Sequence, residues 1–277
     1  MTSNYRAWTA KDAAANVAVP LESDDKYSRG VLGVITGSNQ YPGAAVLGVE
    51  AALRTGVGMV RYLGPTRPTD LVLARRPEVV RSNGRVQAWL IGSGMDANAE
   101  RESEVEIRDA IAQGLPVVLD AGALDLVRIA SGPIVITPHF TELARIIRKD
   151  LDEIAQDPGA AAARTANELG VTVLLKGHTT YVASPDGTRL SVRLAPTWLA
   201  TAGSGDALGG VLGALVATHA DSLGSDPGLL AKLAATASAI HGLAADRASG
   251  GGPFTVLDLA AALPATIAAL LVDHRAA

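Results

Sequence analysis

The sequence of 277 residues contains no cysteine. That absence excludes disulfides, thiolate nucleophiles and cysteine-ligated zinc, and it is compatible with the reducing cytoplasm that we expect for this protein. No run of basic residues is interleaved with aromatic ones, and the formal net charge is −4. We therefore predict no nucleic-acid partner, while local binding of a phosphate group stays open.

Targeting and membrane signals are also missing. The first 20 residues have no basic segment followed by an apolar one, so they do not resemble a secretory signal. Long apolar runs such as ALGGVLGALVATHA, at 207–220, are short and rich in glycine, and we predict no membrane partner. The composition, with 48% hydrophobic and 19% charged residues, is that of an ordinary globular protein with a large core.

Short apolar runs recur along the chain, beginning at Val31, Val86, Pro116, Pro133 and Val171. They do not alternate with polar residues, a pattern typical of strands covered on both faces of a parallel sheet. Helix-like segments, each closed by a glycine that can end a helix, begin at Gly43, Ala99 and Pro158. We predict a doubly wound α/β fold, with a mostly parallel central sheet and helices on both faces.

The pattern changes after Lys176. Residues 179–194 read TTYVASPDGTRLSVRL, and Pro-Asp-Gly favours a hairpin with its turn at Ser184–Gly187, which predicts an antiparallel edge. From Gly205 onward the pattern is almost entirely helical. Because no composition shift marks a boundary, we expect an arm or short helix over residues 1–25 and a single domain over residues 26–277.

Ligands of open α/β sheets bind beyond the carboxyl ends of the strands. Glycine-rich or polar segments follow four of the predicted strands, at 36–45, 92–96, 137–142 and 176–180. The first of them matches neither a phosphate loop ending in Gly-Lys-Ser/Thr nor the dinucleotide glycine fingerprint. The predicted topology gathers these segments on one edge, together with TAGSGDALGG at 201–210.

Asp206 lies in the last of these segments. Glycines at 203 and 205 allow a tight turn, and the helix that begins there directs unpaired N–H groups forward, as an anion hole requires. A carboxylate beside such donors is suited to accepting the proton of a hydroxyl while the donors hold a phosphoryl group. The alternative is structural, because Ser204 or Asp206 could cap the helix, where its dipole favours a carboxylate by roughly 0.3–1 kcal/mol.

Other polar residues carry similar alternatives. Lys176 ends an apolar strand, where a cation either finds an anion such as phosphate or extends past the strand end into solvent. His139 is either a ligand contact or a hydrogen-bonded loop residue. The remaining histidines show no ligand spacing with one another, so we predict no metal site built by the protein itself.

Six segments then stand out in order: 28–62 (SRGVLGVITGSNQYPGAAVLGVEAALRTGVGMVRY), 92–96 (GSGMD), 117–124 (VVLDAGAL), 135–146 (VITPHFTELARI), 174–187 (LLKGHTTYVASPDG) and 201–217 (TAGSGDALGGVLGALVA). Together they resemble the ADP-dependent NAD(P)H-hydrate dehydratases, which belong to the ribokinase-like superfamily. The resemblance implies a ribokinase-like domain that removes water from the S form of hydrated NADH or NADPH, consuming ADP and giving AMP and phosphate. In that family the nucleotide is thought to phosphorylate the ring hydroxyl, because phosphate leaves more readily than hydroxide.

The resemblance also implies roles for individual residues. Asp206 would be catalytic, meeting the hydrated ring and acting on its hydroxyl. The hydrated dinucleotide would also contact Ala44, Gly94 and His139. The nucleotide would be held by Lys176, Gly177, His178, Thr179, Thr180, Gly203, Ser204 and Gly205. Mg²⁺ accompanying the nucleotide and a homotetrameric assembly are expected on the same basis.

This sequence departs from the family pattern at several positions. Gly122 replaces an acidic residue of LDADAL, which leaves Asp120 alone to interact with an ion or water. Trp198 stands at a common glycine, and Ser204 at a frequent threonine. Many relatives carry an epimerase domain ahead of this one, and the first 25 residues leave no room for it.

Two other functions would use the same features. A small-molecule kinase of this fold, acting on a vitamin alcohol, would use Asp206 and the anion hole equally well. A nucleotide-binding regulator would bind without turnover. The segments at 36–45 and 137–142 favour the dehydratase.

Overall fold

The computed structural model describes residues 4–96 and 102–275, and these residues form a nine-stranded sheet. The strands are β1 (Arg6–Ala7), β2 (Val31–Ile35), β3 (Met59–Tyr62), β4 (Ala88–Ile91), β5 (Val117–Leu119), β6 (Ile134–Ile136), β7 (Thr172–Leu175), β8 (Thr180–Ala183) and β9 (Arg189–Val192). Their order across the sheet is β1-β9-β8-β7-β6-β5-β4-β2-β3.

Parallel pairing dominates the sheet. It runs without interruption from β3 through β2, β4, β5 and β6 to β7, whereas β8 pairs antiparallel with both β7 and β9. The predicted mostly parallel sheet with an antiparallel hairpin is confirmed. The hairpin is not outermost, however, because β1 pairs in parallel with β9 beyond it.

Helices cover both faces of the sheet: α1 (Ala10–Ala14), α2 (Gly43–Thr55), α3 (Thr66–Arg75), α4 (Glu104–Ala112), α5 (Phe140–Ile147), α6 (Leu151–Gln156), α7 (Pro158–Leu169), α8 (Ser204–Thr218), α9 (Leu229–Ser249) and α10 (Val256–Arg275). The helix predicted from Ala99 thus begins at Glu104, and residues 99–101 lie outside the described residues. Alternate strand residues join two separate buried clusters, with Leu90 packed beneath α8 and α9 and Ile91 packed beneath α4 and α7. Burial on both faces explains why the strands are apolar throughout.

A close crossing of α2 and α8 determines where the site forms. A Cβ at Gly210 would lie 2.1 Å from the Gly48 carbonyl oxygen, so a residue with a side chain would force the two backbones apart. A Cβ at Gly48 would lie 3.3 Å from the carbonyl oxygen of Asp206. The crossing therefore holds the first turn of α8 against the middle of α2.

The N-terminal residues pack onto the same unit. β1 extends the sheet, and α1 packs against α9 and α10. Trp8 is 4% exposed, and its Nε1–H donates to Thr236 Oγ1 at 3.2 Å. The segment predicted as an arm or short helix thus contributes a strand, a helix and a core tryptophan.

Helix α10 contains the most apolar long segment among the described residues. Val256–His274 is long and apolar enough to cross a membrane by length and composition, although a buried core helix can pass the same test. Here α10 packs against α9 and α2 and buries Leu259, Ala260 and Leu263 completely. The run at 207–220, which the sequence suggested as an example of the longest apolar stretches, is shorter than this one.

Candidate active site

The first turn of α8 presents backbone donors to an open region. Gly203, the residue before the helix, has a φ of +90°, and no described side chain caps the helix. Gly203, Ser204 and Gly205 are all partly exposed. Because a helix leaves its first N–H groups without intrahelical partners, this turn has the geometry of an anion hole.

Asp206 lies in that turn without capping it. Within residues 4–96 and 102–275, its carboxylate has no hydrogen bond or ion pair. Its Oδ2 lies 3.9 Å from the position of a Cβ at Gly203, and Leu47 and Val256 flank the same glycine. The structural alternative, in which Asp206 caps α8, is therefore not observed.

The surroundings of Asp206 make it a stronger base than an ordinary aspartate. Burial raises the pKa of Asp206 to about 6, the negative charge of Asp120 raises it further, and the positive charge of Lys176 partly offsets both. A carboxyl group with a pKa this close to neutrality is well matched to accepting a proton from an alcohol.

Lys176 directs its ammonium group towards this turn. Its Nζ lies 3.6 Å from the position of a Cβ at Gly205, 2.9 Å from Asp120 Oδ1 and 3.8 Å from Glu142 Oε2. Burial alone would lower the pKa of Lys176, but the two carboxylates outweigh that effect and the pKa is raised. The lysine is charged and paired inside the site, and does not extend past the strand end into solvent.

Asp120, at the end of β5, holds this lysine. It is 3% exposed and accepts hydrogen bonds from Ser93 Oγ at 2.9 Å, Thr137 Oγ1 at 2.8 Å and Lys176 Nζ at 2.9 Å. Burial opposes ionisation of Asp120, but these donors keep its pKa below the usual range. Asp120 is therefore not left free for an ion or water, which corrects the expectation drawn from the sequence.

A cleft of about 430 Å³ opens where the loops after β2, β4, β5 and β6 converge. Its lining includes Tyr41, Met95, Gly122, His139, Glu142 and Arg145. Three of the segments that the sequence predicted to meet, 36–45, 92–96 and 137–142, do meet here. The fourth, 176–180, adjoins them, because the Lys176 N–H donates to the Pro138 carbonyl oxygen at 2.9 Å.

His139 combines both of its predicted roles. Its Nδ1 accepts a hydrogen bond from the Glu142 N–H at 3.2 Å, and the Glu142 carboxylate accepts one from the His139 N–H at 2.8 Å. Because Nδ1 is an acceptor, a neutral ring carries its proton on Nε2. His139 thus caps α5 and has an N–H that can be donated to a ligand in the cleft.

Ala44 and Gly94 lie together on the other side of the cleft. Gly94 has a φ of +71°, and a Cβ there would lie 2.4 Å from the Ala44 Cβ and 3.0 Å from the Tyr41 carbonyl oxygen. The loop after β4 therefore packs directly on the start of α2. Neither residue offers a polar side chain, so a ligand would meet their backbone.

The remaining predicted nucleotide contacts are more dispersed. Gly177 and His178 are exposed beyond β7, Thr179 is partly exposed, and Thr180 is buried in β8. The structure brings Lys176 to Gly205 and Asp206, whereas the Thr180 side chain lies within the sheet.

The departures from the family pattern have different structural settings. A Cβ at Gly122 would lie 2.6 Å from the Met95 carbonyl oxygen, so this backbone has no space for the acidic residue of relatives. Trp198 lies on the 3₁₀ turn Thr197–Leu199, in the segment that leads into α8, and is 50% exposed.

The described residues do not include a cluster of three or more histidine, aspartate or glutamate side chains that could hold a metal ion. The buried carboxylate nearest the lysine, Asp120, already has three donors. The residues therefore do not fit a magnesium cage of their own. A magnesium ion bound mainly by nucleotide phosphates would need no such cage.

Sequence reasoning missed several residues of this site. Ser93, Thr137 and Glu142 hold the Asp120–Lys176 pair, and Tyr41 and Arg145 line the cleft. All five lie at strand ends or one helical turn beyond, and that position was the available signal.

Comparison with known proteins places these features in a family context. The family model described as NAD(P)H-hydrate dehydratase matches residues 32–262. The bifunctional NAD(P)H-hydrate repair enzyme Nnr of Mycobacterium tuberculosis is 42% identical over 221 residues, covering 76% of this chain and 45% of that protein. The ADP-dependent (S)-NAD(P)H-hydrate dehydratase of Neisseria meningitidis serogroup B is 34% identical over 244 residues, covering 81% of this chain and 79% of that protein. This chain spans about half the length of the bifunctional relatives.

Solved structures agree with the predicted fold. The ADP/ATP-dependent NAD(P)H-hydrate dehydratase of Bacillus subtilis, co-crystallised with ATP and Mg²⁺, has a TM-score of 0.84 and 25% identity, covering 96% of this chain and 99% of that one. A ribokinase-like superfamily protein of Enterococcus faecalis has a TM-score of 0.84 and 21% identity, covering 98% of both chains. The predicted ribokinase-like fold is confirmed.

Proposed function

The chain belongs to the NAD(P)H-hydrate dehydratase family, and on that premise we propose that it repairs nicotinamide nucleotides by ADP-dependent dehydration of the S form of hydrated NADH and NADPH. The products are NAD(P)H, AMP and phosphate, and the enzyme is a carbon–oxygen lyase. The proposal includes Mg²⁺ entering with the nucleotide, a homotetrameric assembly and a cytoplasmic location.

The observation that carries the proposal is the open carboxylate of Asp206. It has no partner among the described residues, it titrates near pH 6, and it shares the first turn of α8 with backbone donors and the Lys176 ammonium. A base next to an anion hole and a cation is suited to transferring a phosphoryl group to an alcohol.

In the proposed reaction, Asp206 accepts the proton of the ring hydroxyl as that oxygen attacks the β-phosphorus of ADP. An O–P bond forms, and the bond between the β-phosphorus and the bridging oxygen breaks to release AMP. The C–O bond of the ring then breaks, phosphate leaves, and the neighbouring carbon loses a proton to restore the double bond. The net change is removal of water from the ring and its addition across ADP.

The two ligands would occupy neighbouring regions. The hydrated dinucleotide fits the cleft between Tyr41 and His139, with the His139 Nε2–H as a donor and the backbone at Gly94 as a close wall. The nucleotide phosphates would lie against Gly205 and Lys176. Mg²⁺ would supply charge compensation for those phosphates.

The test uses two aspartates that occupy first turns of helices. The S form of hydrated NADH is incubated with ADP, Mg²⁺ and the full chain, and recovery of reduced-nicotinamide absorbance is followed. Asp206→Asn should lower turnover on the order of 10²-fold or more, with ADP affinity changed only a few fold. Asp258→Asn is the matched control, since Asp258 caps α10 through Thr255 far along the chain, and its turnover should be unchanged.

The same assay separates the other candidate functions. A wild-type protein that restores no absorbance but phosphorylates an alcohol is a kinase of this fold. A wild-type protein that binds ADP and converts neither hydrate is a regulator. Wild-type turnover by Asp206→Asn would remove Asp206 from the reaction.

A further inference from the structure

We propose that Asp120 is a positioning residue for this reaction: it holds the Lys176 ammonium beside the first turn of α8, where the cation contacts the transferred phosphoryl group, and keeps it from pairing with Asp206. The inference rests on the proposed function and deepens it. It assigns a role to a buried carboxylate at the end of β5 that is not among the residues found to line the cleft.

Asp120 has the geometry of an anchor. Its three donors come from three different strand ends, Ser93 after β4, Thr137 after β6 and Lys176 after β7. Charge-assisted hydrogen bonds shielded from water are strong and directional. The carboxylate therefore has one orientation, and Nζ of Lys176 is held at one place.

Two carboxylates lie within reach of electrostatic interaction with this lysine, and only one binds it. Asp120 is 2.9 Å from Nζ, whereas no hydrogen bond or ion pair joins Lys176 to Asp206 in the described residues. An ammonium paired with Asp206 would neutralise the proposed base and withdraw the cation from the phosphoryl group. The Asp120 pair prevents both.

The charged groups facing Asp206 come from several elements. Asp120 of the β5 end and Lys176 of the β7 end act on it directly, and Glu142 of α5 lies 3.8 Å behind the lysine. His241 of α9 adjoins Ser204 and is neutral, because burial lowers its pKa to about 4. On the sides of α2 and α10 the nearest groups are the apolar Leu47 and Val256.

This arrangement predicts opposite responses to neutralising either member of the pair. Asp120→Asn removes a negative charge near Asp206 and leaves the cation, so the titration midpoint of Asp206 should fall. Lys176→Met removes the positive charge, so the midpoint should rise. General loosening of the site would instead solvate Asp206 and lower the midpoint in both variants.

The decisive measurement is a carboxyl ¹³C NMR titration of Asp206 in the full chain, which requires no turnover. The wild-type midpoint is expected near pH 6. Asp120→Asn should move it down by about one pH unit, and Lys176→Met should move it up by about as much. Unchanged midpoints, or movement in the same direction in both variants, would overturn the inference.

Kinetics test the positioning role separately. Asp120→Asn should reduce kcat/KM for ADP by about tenfold or more, leave KM for the hydrate unchanged, and move the acid limb of kcat in the direction of the NMR midpoint. If wild-type protein dehydrates no hydrate, the proposed function fails while the NMR midpoints still decide the inference.

A double variant guards against misfolding. Asp120→Asn with Lys176→Met removes both charges and leaves no buried ion unpaired, so it should fold. Its turnover with ADP should stay at least about tenfold below wild type, because the cation is missing. Wild-type turnover by this double variant would show that the pair is structural only.

Discussion

Replacing Asp206 by asparagine should make the protein more stable as well as inactive. The folded chain raises the pKa of Asp206 from its ordinary value of 3.8 to about 6, chiefly through burial and then through the charge of Asp120. By linkage, this difference corresponds to about 3 kcal/mol of stability lost at pH 8 relative to a neutral side chain. The favourable position at a helix N-terminus returns roughly 0.3–1 kcal/mol, which leaves a gain of about 2 kcal/mol for the variant.

The gain depends on pH in a direction that follows from the raised pKa. Below about pH 3.8 the carboxyl is protonated in both the folded and the unfolded chain, so wild type and variant differ little. Between that pH and about 6 only the unfolded chain ionises, and wild type loses stability relative to the variant. Above pH 6 the difference is constant.

Urea unfolding of both proteins at pH 4.5 and pH 8 is the assay. The midpoint difference should be large at pH 8 and clearly smaller at pH 4.5. Asp258→Asn is the control, because its carboxylate accepts hydrogen bonds from the Thr255 N–H and hydroxyl and its loss should destabilise. A less stable Asp206→Asn variant at pH 8 would refute the view that this carboxylate is held in place at a cost in stability.

Further variants address the rest of the fold and the cleft. The Glu50 side chain is fully buried and, although burial opposes it, hydrogen bonds from Arg76 and Arg54 hold its pKa at about 2. Glu50→Gln should cost about 3 kcal/mol at pH 7 in urea unfolding, and the contribution of this glutamate should be lost as pH falls from 4.5 towards 2. Gly122→Asp should lower stability by about 1–3 kcal/mol, because its Cβ would lie 2.6 Å from the Met95 carbonyl oxygen. Arg145→Gln should raise KM for the hydrated dinucleotide on the order of tenfold without changing kcat, because the exposed guanidinium lines the cleft and its charge attracts phosphate.

Each of these variants has an outcome that would contradict it. A Glu50→Gln protein as stable as wild type would show that the ion pairs do not stabilise the crossing of α2 and α3. Normal stability of Gly122→Asp would mean that the loop after β4 moves without cost. An unchanged KM in Arg145→Gln would place the dinucleotide phosphates elsewhere.

Much of the architecture could be predicted from local patterns. The unbroken apolar runs at Val31, Val86 and Val171 indicated strands buried on both faces, because covered parallel strands need no polar face. Pro-Asp-Gly at 185–187 indicated the hairpin through backbone preferences that operate within four residues. The two-residue β1 had no such signal, because its pairing with β9 joins positions more than 180 residues apart.

The order of strand-end segments was enough to single out Asp206, Lys176 and His139, because a parallel sheet collects those ends at one edge whatever the details of packing. Which partner each side chain takes depended on the tertiary structure alone. Lys176 binds Asp120, 56 residues away, and Asp206 remains free beside them. Burial, the distances between charges and the space around Gly122 are properties of the packed interior, so no local stretch of sequence specifies them.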